Sequence, residues 1–190
     1  MTRPLLLEPT DTALWLQLVR EAEQEYGERL PEDMESYLVF MLMRHCRDSS
    51  LAQAAIALEY LRAQDLQGQA RVDRMRDIGD QCLILSGLFP RRAARRNVRV
   101  SYYVDLGRSA YHQFSHHLGH ATAELYQQLA ETFVTLMDIL QTIRDFDSPV
   151  LQPLQSLELW SDTGSIASYR RVARSGMPVH ESLMASDWKQ

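Results

Sequence analysis

Residues 101–146 read SYYVDLGRSAYHQFSHHLGHATAELYQQLAETFVTLMDILQTIRDF, and this stretch decides the fold. On a helical wheel that advances about 100° per residue, its small and apolar residues fall within one narrow stripe: Tyr103, Gly107, Ala110, Phe114, Leu118, Ala121, Leu125, Thr132, Leu136, Ile139 and Ile143. Because the phase persists for about forty residues, the pattern predicts one long, kinked helix over 101–146. The stripe is expected to be buried against other helices.

The length of this helix sets a constraint. A straight helix over this stretch would measure about 65 Å, whereas a compact domain of this size has a diameter of about 40 Å. The helix must therefore bend, break or project into a partner, and projection would favour a homodimer. Gly119 is the expected weak point. The small residues Gly107 and Ala110 predict the closest helix packing in the fold.

Helical patterns also occupy the rest of the chain. Caps and apolar stripes predict helices from Thr10 or Asp11 to Tyr26, from Pro31 to Arg47, from Ser49 or Ser50 through Leu61, from Gln69 to Leu85, and from Ile166 until Gly176. Pro149 and Pro153 predict an irregular stretch up to Trp160, and SDTGS (161–165) predicts a hinge.

No run of alternating β-branched residues predicts a strand, and only 8 Gly and 7 Pro occur among 190 residues. We therefore predict an all-α fold, a single-domain helical bundle of about six helices. The bundle domain is expected over 1–160. Residues 161–190 are expected to form the hinge, a short C-terminal helix and a mobile tail, packed on or extending from the same domain.

Composition and missing motifs exclude several kinds of chemistry. The net charge of −5 is too modest to bind polyanions over the whole surface, and 2 Cys without a C-x-x-C motif favour a reducing cytoplasm. The longest uncharged stretches are about half of the ~20 apolar residues that a membrane span needs. The chain has no Walker loop, G-x-G-x-x-G, H-E-x-x-H or paired Glu-x-x-His motif. A single Lys, Lys189, argues against Schiff-base chemistry. These absences favour a protein that is not an enzyme.

Four of the 6 histidines lie between Tyr111 and Glu124. His112 and His116 are expected on the solvent side of the helix, whereas His117, His120 and Glu124 share one flank of the stripe. This trio could ligate a divalent metal, but a site would need a further ligand from another helix. We favour hydrogen-bonded boundary histidines, so no cofactor is predicted. A helical metal- or haem-binding protein, with or without enzyme activity, is the alternative.

The segment SGLFPRRAARRNVRV (86–100) is the most basic in the chain. It carries Arg91, Arg92, Arg95, Arg96 and Arg99, and residues 86–110 hold six Arg against one Asp. Tyr102 is expected to be exposed beside it. We expect first that these arginines pair with acids of the same chain or are simply solvated. Binding of an acidic protein partner is the second choice, and binding of nucleic-acid phosphates is the third.

The sequence thus favours a cytoplasmic protein-interaction or regulatory protein that does not associate with membranes. A protein partner would bind to the long helix and to the arginine-rich segment 91–99 of this chain. A homodimer would explain why the predicted helix is longer than the domain is wide. Nucleic-acid or phosphate binding through Arg91–Arg99 is disfavoured.

Overall fold

The computed structural model describes residues 11–45, 56–95, 98–115, 120–145 and 151–177. In these ranges the chain forms helices and no strand, so the all-α prediction is confirmed. The described helices number ten, more than predicted: α1 (Asp11–Tyr26), α2 (Glu32–His45), α3 (Ile56–Gln64), α4 (Gly68–Gly87), α5 (Pro90–Arg95), α6 (Val100–Ser115), α7 (His120–Glu131), α8 (Phe133–Asp145), α9 (Pro153–Thr163) and α10 (Ile166–Arg174).

The prediction of one long helix over 101–146 is wrong, because α6, α7 and α8 divide this stretch. The break between α7 and α8 is slight. The Thr132 amide still donates to the Gln128 carbonyl at 2.8 Å, and the Thr132 hydroxyl donates to the same oxygen at 2.7 Å. A hydroxyl that bonds back to the helix in this way bends it.

Between α6 and α7 the chain reverses its direction. Arg108 Nε donates to the Ala130 carbonyl at 3.2 Å, and the ring centroids of Tyr111 and Tyr126 lie 5.7 Å apart. Later residues of α6 thus meet earlier residues of α7, which makes the two helices antiparallel. Gly119 lies in 116–119, outside the described residues. Because the stretch folds back on itself, the length mismatch that favoured a homodimer does not arise.

The central helix of the fold is α4. From Ile78 to Gly87 every residue except Gln81 is buried, and α4 packs against α3, α5, α6 and α8. A helix that is buried on all sides forms the core of its domain. The apolar stripe from which this helix was predicted is buried, and in the second half of the helix burial continues around the whole circumference.

Three glycines let the neighbouring helices approach α4 closely. A Cβ on Gly79 would lie 2.3 Å from the ring of Tyr111, and one on Gly87 would lie 2.5 Å from Leu140 Cβ. On α6, a Cβ on Gly107 would lie 2.5 Å from the ring of Phe133 and 2.8 Å from Cys82 Cβ. Contacts this short leave no room for a methyl group. Gly107 therefore packs closely, as predicted, but among these glycines the shortest approach is at Gly79, so the prediction that Gly107 and Ala110 mark the closest packing is wrong. Gly79 and Gly87 were not foreseen.

Residues 153–163 form a helix, so the prediction of an irregular stretch up to Trp160 is wrong there. Pro153 stands at the helix start, where its missing N–H needs no partner. Gln152 and Gln155 complete a capping box. Gly164, with a φ of 74°, ends α9, and Ser165 caps α10. Residues 146–150, which include Pro149, and the predicted tail at 178–190 are not among the described residues.

A buried aspartate attaches α10 to α8. Asp138, fully buried, accepts a hydrogen bond from Ser165 Oγ at 2.6 Å and one from the Ala167 amide at 3.1 Å. The Ser168 amide donates to Ser165 Oγ at 3.1 Å, so Asp138 orients the cap of α10. Burial raises the pKa of Asp138 above its ordinary value, and these hydrogen bonds oppose that rise.

Gly107→Ala should destabilise the fold, because the added methyl group meets Phe133 and Cys82. Overpacking of this kind costs roughly 1–3 kcal/mol, measurable as the free energy of unfolding in urea. Ser109→Ala, at an exposed position of the same helix, is the control and should change stability by less than about 0.5 kcal/mol. Equal stability of the two variants would show that α6 does not lie as close as described.

Asp138→Asn removes the titration of this carboxyl and tests its raised pKa. A carboxyl whose pKa is higher in the folded than in the unfolded state binds more protons when folded, so its contribution to stability falls as pH rises. The difference between the free energies of unfolding of the wild type and of Asp138→Asn should therefore decrease as the pH rises above 3.8, the ordinary pKa of an aspartate. Urea titrations across this range measure the difference, and an increase would mean that the hydrogen bonds outweigh burial.

Candidate functional site

The arginine-rich turn, residues 90–99, connects α4 to α6. Of its described residues, Pro90–Arg95 are helical, and Val98 and Arg99 are not. Arg99 therefore does not share a helical face with Arg91, as a continuous helix over 91–99 would require. Arg96 and the side chain of Arg95 lie outside the described residues.

The described arginines of the turn differ in their surroundings. The Arg92 guanidinium lies 4.5 Å from the centroid of the Phe89 ring, a cation–π contact. Arg99, whose side chain is 67% exposed, lies 3.5 Å from Asp162 Oδ2, which also accepts a hydrogen bond from Ser101 Oγ at 2.7 Å. Arg99 thus pairs within the chain, with an acid of α9.

Two further residues of this surface are placed as expected. Arg91 is exposed at the start of α5. Tyr102, at the start of α6, is 42% exposed, whereas Tyr103 is buried in the core. An exposed tyrosine beside exposed arginines has the composition of many binding surfaces.

A groove of about 220 Å³ lies between α9 and the chain that enters α6. Its apolar lining consists of Pro90, Val98, Val100, Leu151 and Leu159. The contacts of Asp162 with Arg99 and Ser101 join its two walls, and Glu158 is an exposed acid of the lining. The sequence did not predict this groove, because α9 was not expected to be a helix.

The histidine trio remains a prediction. His112 is exposed, as expected from the helical wheel. Glu124 is exposed as well. His116 and His117 lie outside the described residues, and the side chain of His120, at the start of α7, is also outside them. Within the described part of the chain, no three His, Cys, Asp or Glu side chains come together as a metal site would need.

The most polar cluster of the core surrounds Asp80 on α4. Asp80 is fully buried and accepts hydrogen bonds at Oδ1 from the Tyr37 hydroxyl at 2.5 Å and from the Tyr111 hydroxyl at 2.8 Å. Its Oδ2 accepts a hydrogen bond from Arg44 at 2.6 Å. Burial is the main reason why the pKa values of Tyr37 and Tyr111 lie well above the ordinary value.

This cluster fits a structural role better than a catalytic one. Both oxygens of Asp80 are occupied by the donors from Tyr37, Tyr111 and Arg44, so the carboxylate is not placed to take a proton from a substrate. The donors come from α2 and α6, and the cluster therefore ties both helices to α4. His45 Nε2 lies 3.8 Å from Asp80 Oδ2, and neither ring nitrogen of His45 has a hydrogen-bond partner among the described residues.

Sequence reasoning missed this cluster. Asp80 lies next to the apolar stripe of a helix, a position that is usually solvated. Its partners are 31 to 43 residues away in the chain, and no local pattern connects them.

Comparison with known proteins gives no relative: no family model, no curated protein and no solved structure matches this chain. Of the helices described, none is long and apolar enough to cross a membrane. The function must therefore be inferred from the geometry of this chain.

Asp80→Ala should be strongly destabilising, because it leaves the hydroxyls of Tyr37 and Tyr111 and the Arg44 guanidinium without their acceptor. Each buried hydroxyl that is left without its acceptor costs about 1–3 kcal/mol, measured as the free energy of unfolding in urea. Asp105→Ala, at an exposed position of α6, is the matched control. A loss for Asp80→Ala no greater than that of the control would show that the cluster does not hold α2 and α6 to α4.

Proposed function

We propose that this chain is a cytoplasmic protein-interaction or regulatory protein that binds an acidic segment of a protein partner. The binding surface is the arginine-rich turn with the first turn of α6, including Tyr102. One observation carries the proposal: residues 86–110 hold six Arg against one Asp, in a chain whose net charge is −5. Such a local excess of charge attracts partners of opposite charge and speeds their association.

The turn is held in place at both ends, which supports a role in binding. Pro90 is buried at its start, and Phe89 packs against the core beneath Arg92. At its end, Ser101 donates its hydroxyl to Asp162 at 2.7 Å. Side chains presented by a fixed backbone lose less conformational entropy on binding than those of a loose tail.

The surroundings of the turn favour a protein over nucleic acid. Affinity for nucleic acid comes mainly from many phosphate contacts along an extended basic surface. Here the basic surface is one short turn, and the exposed acid Glu158 lies beside it. Arginine and tyrosine are, by contrast, the residues that most often dominate protein interfaces.

Photocrosslinking in the native cell tests the proposal. A benzophenone amino acid replaces Tyr102 on the proposed surface or, as the control, Gln127 at an exposed position of α7. We expect a discrete crosslinked product with another protein from position 102 only. Charge reversal by Arg91→Glu/Arg92→Glu should reduce this product at least about tenfold, because both arginines would then repel an acidic partner.

A second double variant controls for the change in net charge. Arg62→Glu/Arg144→Glu alters the same number of charges at exposed positions of α3 and α8, and it should leave the product from position 102 unchanged. The proposal fails if positions 102 and 127 give the same products, or if both double variants reduce crosslinking equally.

A further inference from the structure

The groove beside the arginine-rich turn has the size and lining for a single apolar side chain. Its volume of about 220 Å³ is below the range of about 300–1,000 Å³ in which small-molecule sites usually fall. Of its apolar lining, Leu151 and Leu159 are buried, whereas Val98 and Val100 are partly exposed. Exposed apolar surface in a concave site is stabilised when another apolar group covers it.

The walls of the groove are fixed before any partner binds. Asp162 on α9 accepts the hydroxyl of Ser101 at 2.7 Å and lies 3.5 Å from Arg99. These contacts hold α9 next to the entry of α6, so the groove does not need to form during binding. They also neutralise Asp162, which would otherwise repel an acidic partner.

The charges around the groove define the orientation in which a partner segment binds. Arg91 and Arg92 follow Pro90, which lines the groove, whereas Glu158 is an exposed acid of the α9 wall. Carboxylates of a partner are attracted to Arg91 and Arg92 and repelled by Glu158. An acidic segment therefore places its acids over α5 and directs an uncharged residue toward α9.

We propose that the groove binds one large apolar side chain of the acidic partner segment. The partner is then recognised by two features, carboxylates over the arginine-rich turn and an apolar anchor between Val98 and Leu159. This inference rests on the proposed function and specifies the chemistry of the partner.

Fluorescence anisotropy with defined probes tests the inference. The probes are a labelled glutamate-rich peptide that ends in Phe-Leu, the same peptide ending in Gly-Gly, and a single-stranded oligonucleotide of equal charge. We expect the Phe-Leu peptide to bind the wild type about tenfold more tightly than the Gly-Gly peptide, because one apolar side chain is buried. Arg91→Glu/Arg92→Glu should weaken the binding of both peptides.

Two matched variants locate the apolar contact. Val98→Trp fills the groove and should abolish the advantage of the Phe-Leu peptide while leaving the Gly-Gly peptide unaffected. Leu154→Trp adds the same ring to α9 at a position that is 62% exposed and does not line the groove, so the advantage should persist. If Val98→Trp does not fold, Glu158→Gln replaces it and should strengthen binding of the Phe-Leu peptide by about twofold.

The outcomes separate the inference from the proposed function. If neither peptide prefers the wild type over Arg91→Glu/Arg92→Glu, both the proposed function and the groove inference fail. Only the groove inference fails if both peptides bind through the arginines with equal affinity. It also fails if Val98→Trp still binds the Phe-Leu peptide more tightly than the Gly-Gly peptide, or if Glu158→Gln does not bind the Phe-Leu peptide more tightly than the wild type does. Tighter binding of the oligonucleotide than of either peptide would overturn both in favour of a phosphate ligand.

Discussion

The burial of the second half of α4, Ile78–Gly87, is the constraint on which the rest of the structure depends. A helical segment without a solvated face needs neighbours around its whole circumference, and α4 packs against α3, α5, α6 and α8. Close approach requires positions without a side chain, which Gly79 and Gly87 provide. It also forces Asp80 into the core, and a buried carboxylate is tolerated only because Tyr37, Tyr111 and Arg44 satisfy it.

The same constraint brings the basic residues to the surface. Because α4 ends at Gly87 and α6 returns antiparallel along it, the connection between them must cross the end of the core. Arginines have no place inside such a core, and the described arginines of this connection, Arg91, Arg92 and Arg99, are exposed or partly exposed. The surface proposed for binding is thus a consequence of the way in which the central helix is covered, with α9 packed against α6 to form the groove.

The sequence predicted those parts of the fold that depend on local signals. The helices α1, α2, α4 and α10 follow from caps, breakers and stripes, which act within a few residues. The helix over 101–146 was predicted wrongly because its stripe keeps one phase across the reversal before α7. The helix α9 was missed because Pro153 was interpreted as a breaker rather than as a first-turn residue. The Asp80 cluster and the groove depend on contacts between distant segments, which no local pattern contains.

The covering of α4 also determines how much of the chain can fold during synthesis. Gly87 packs against Leu140, and the Ser86 carbonyl accepts a hydrogen bond from Gln141 at 2.9 Å. Both partners belong to α8, which leaves the ribosome long after α4. The apolar second half of α4 therefore lacks this cover until α8 has been translated. Apolar surface that is exposed transiently in this way is the kind that chaperones shield.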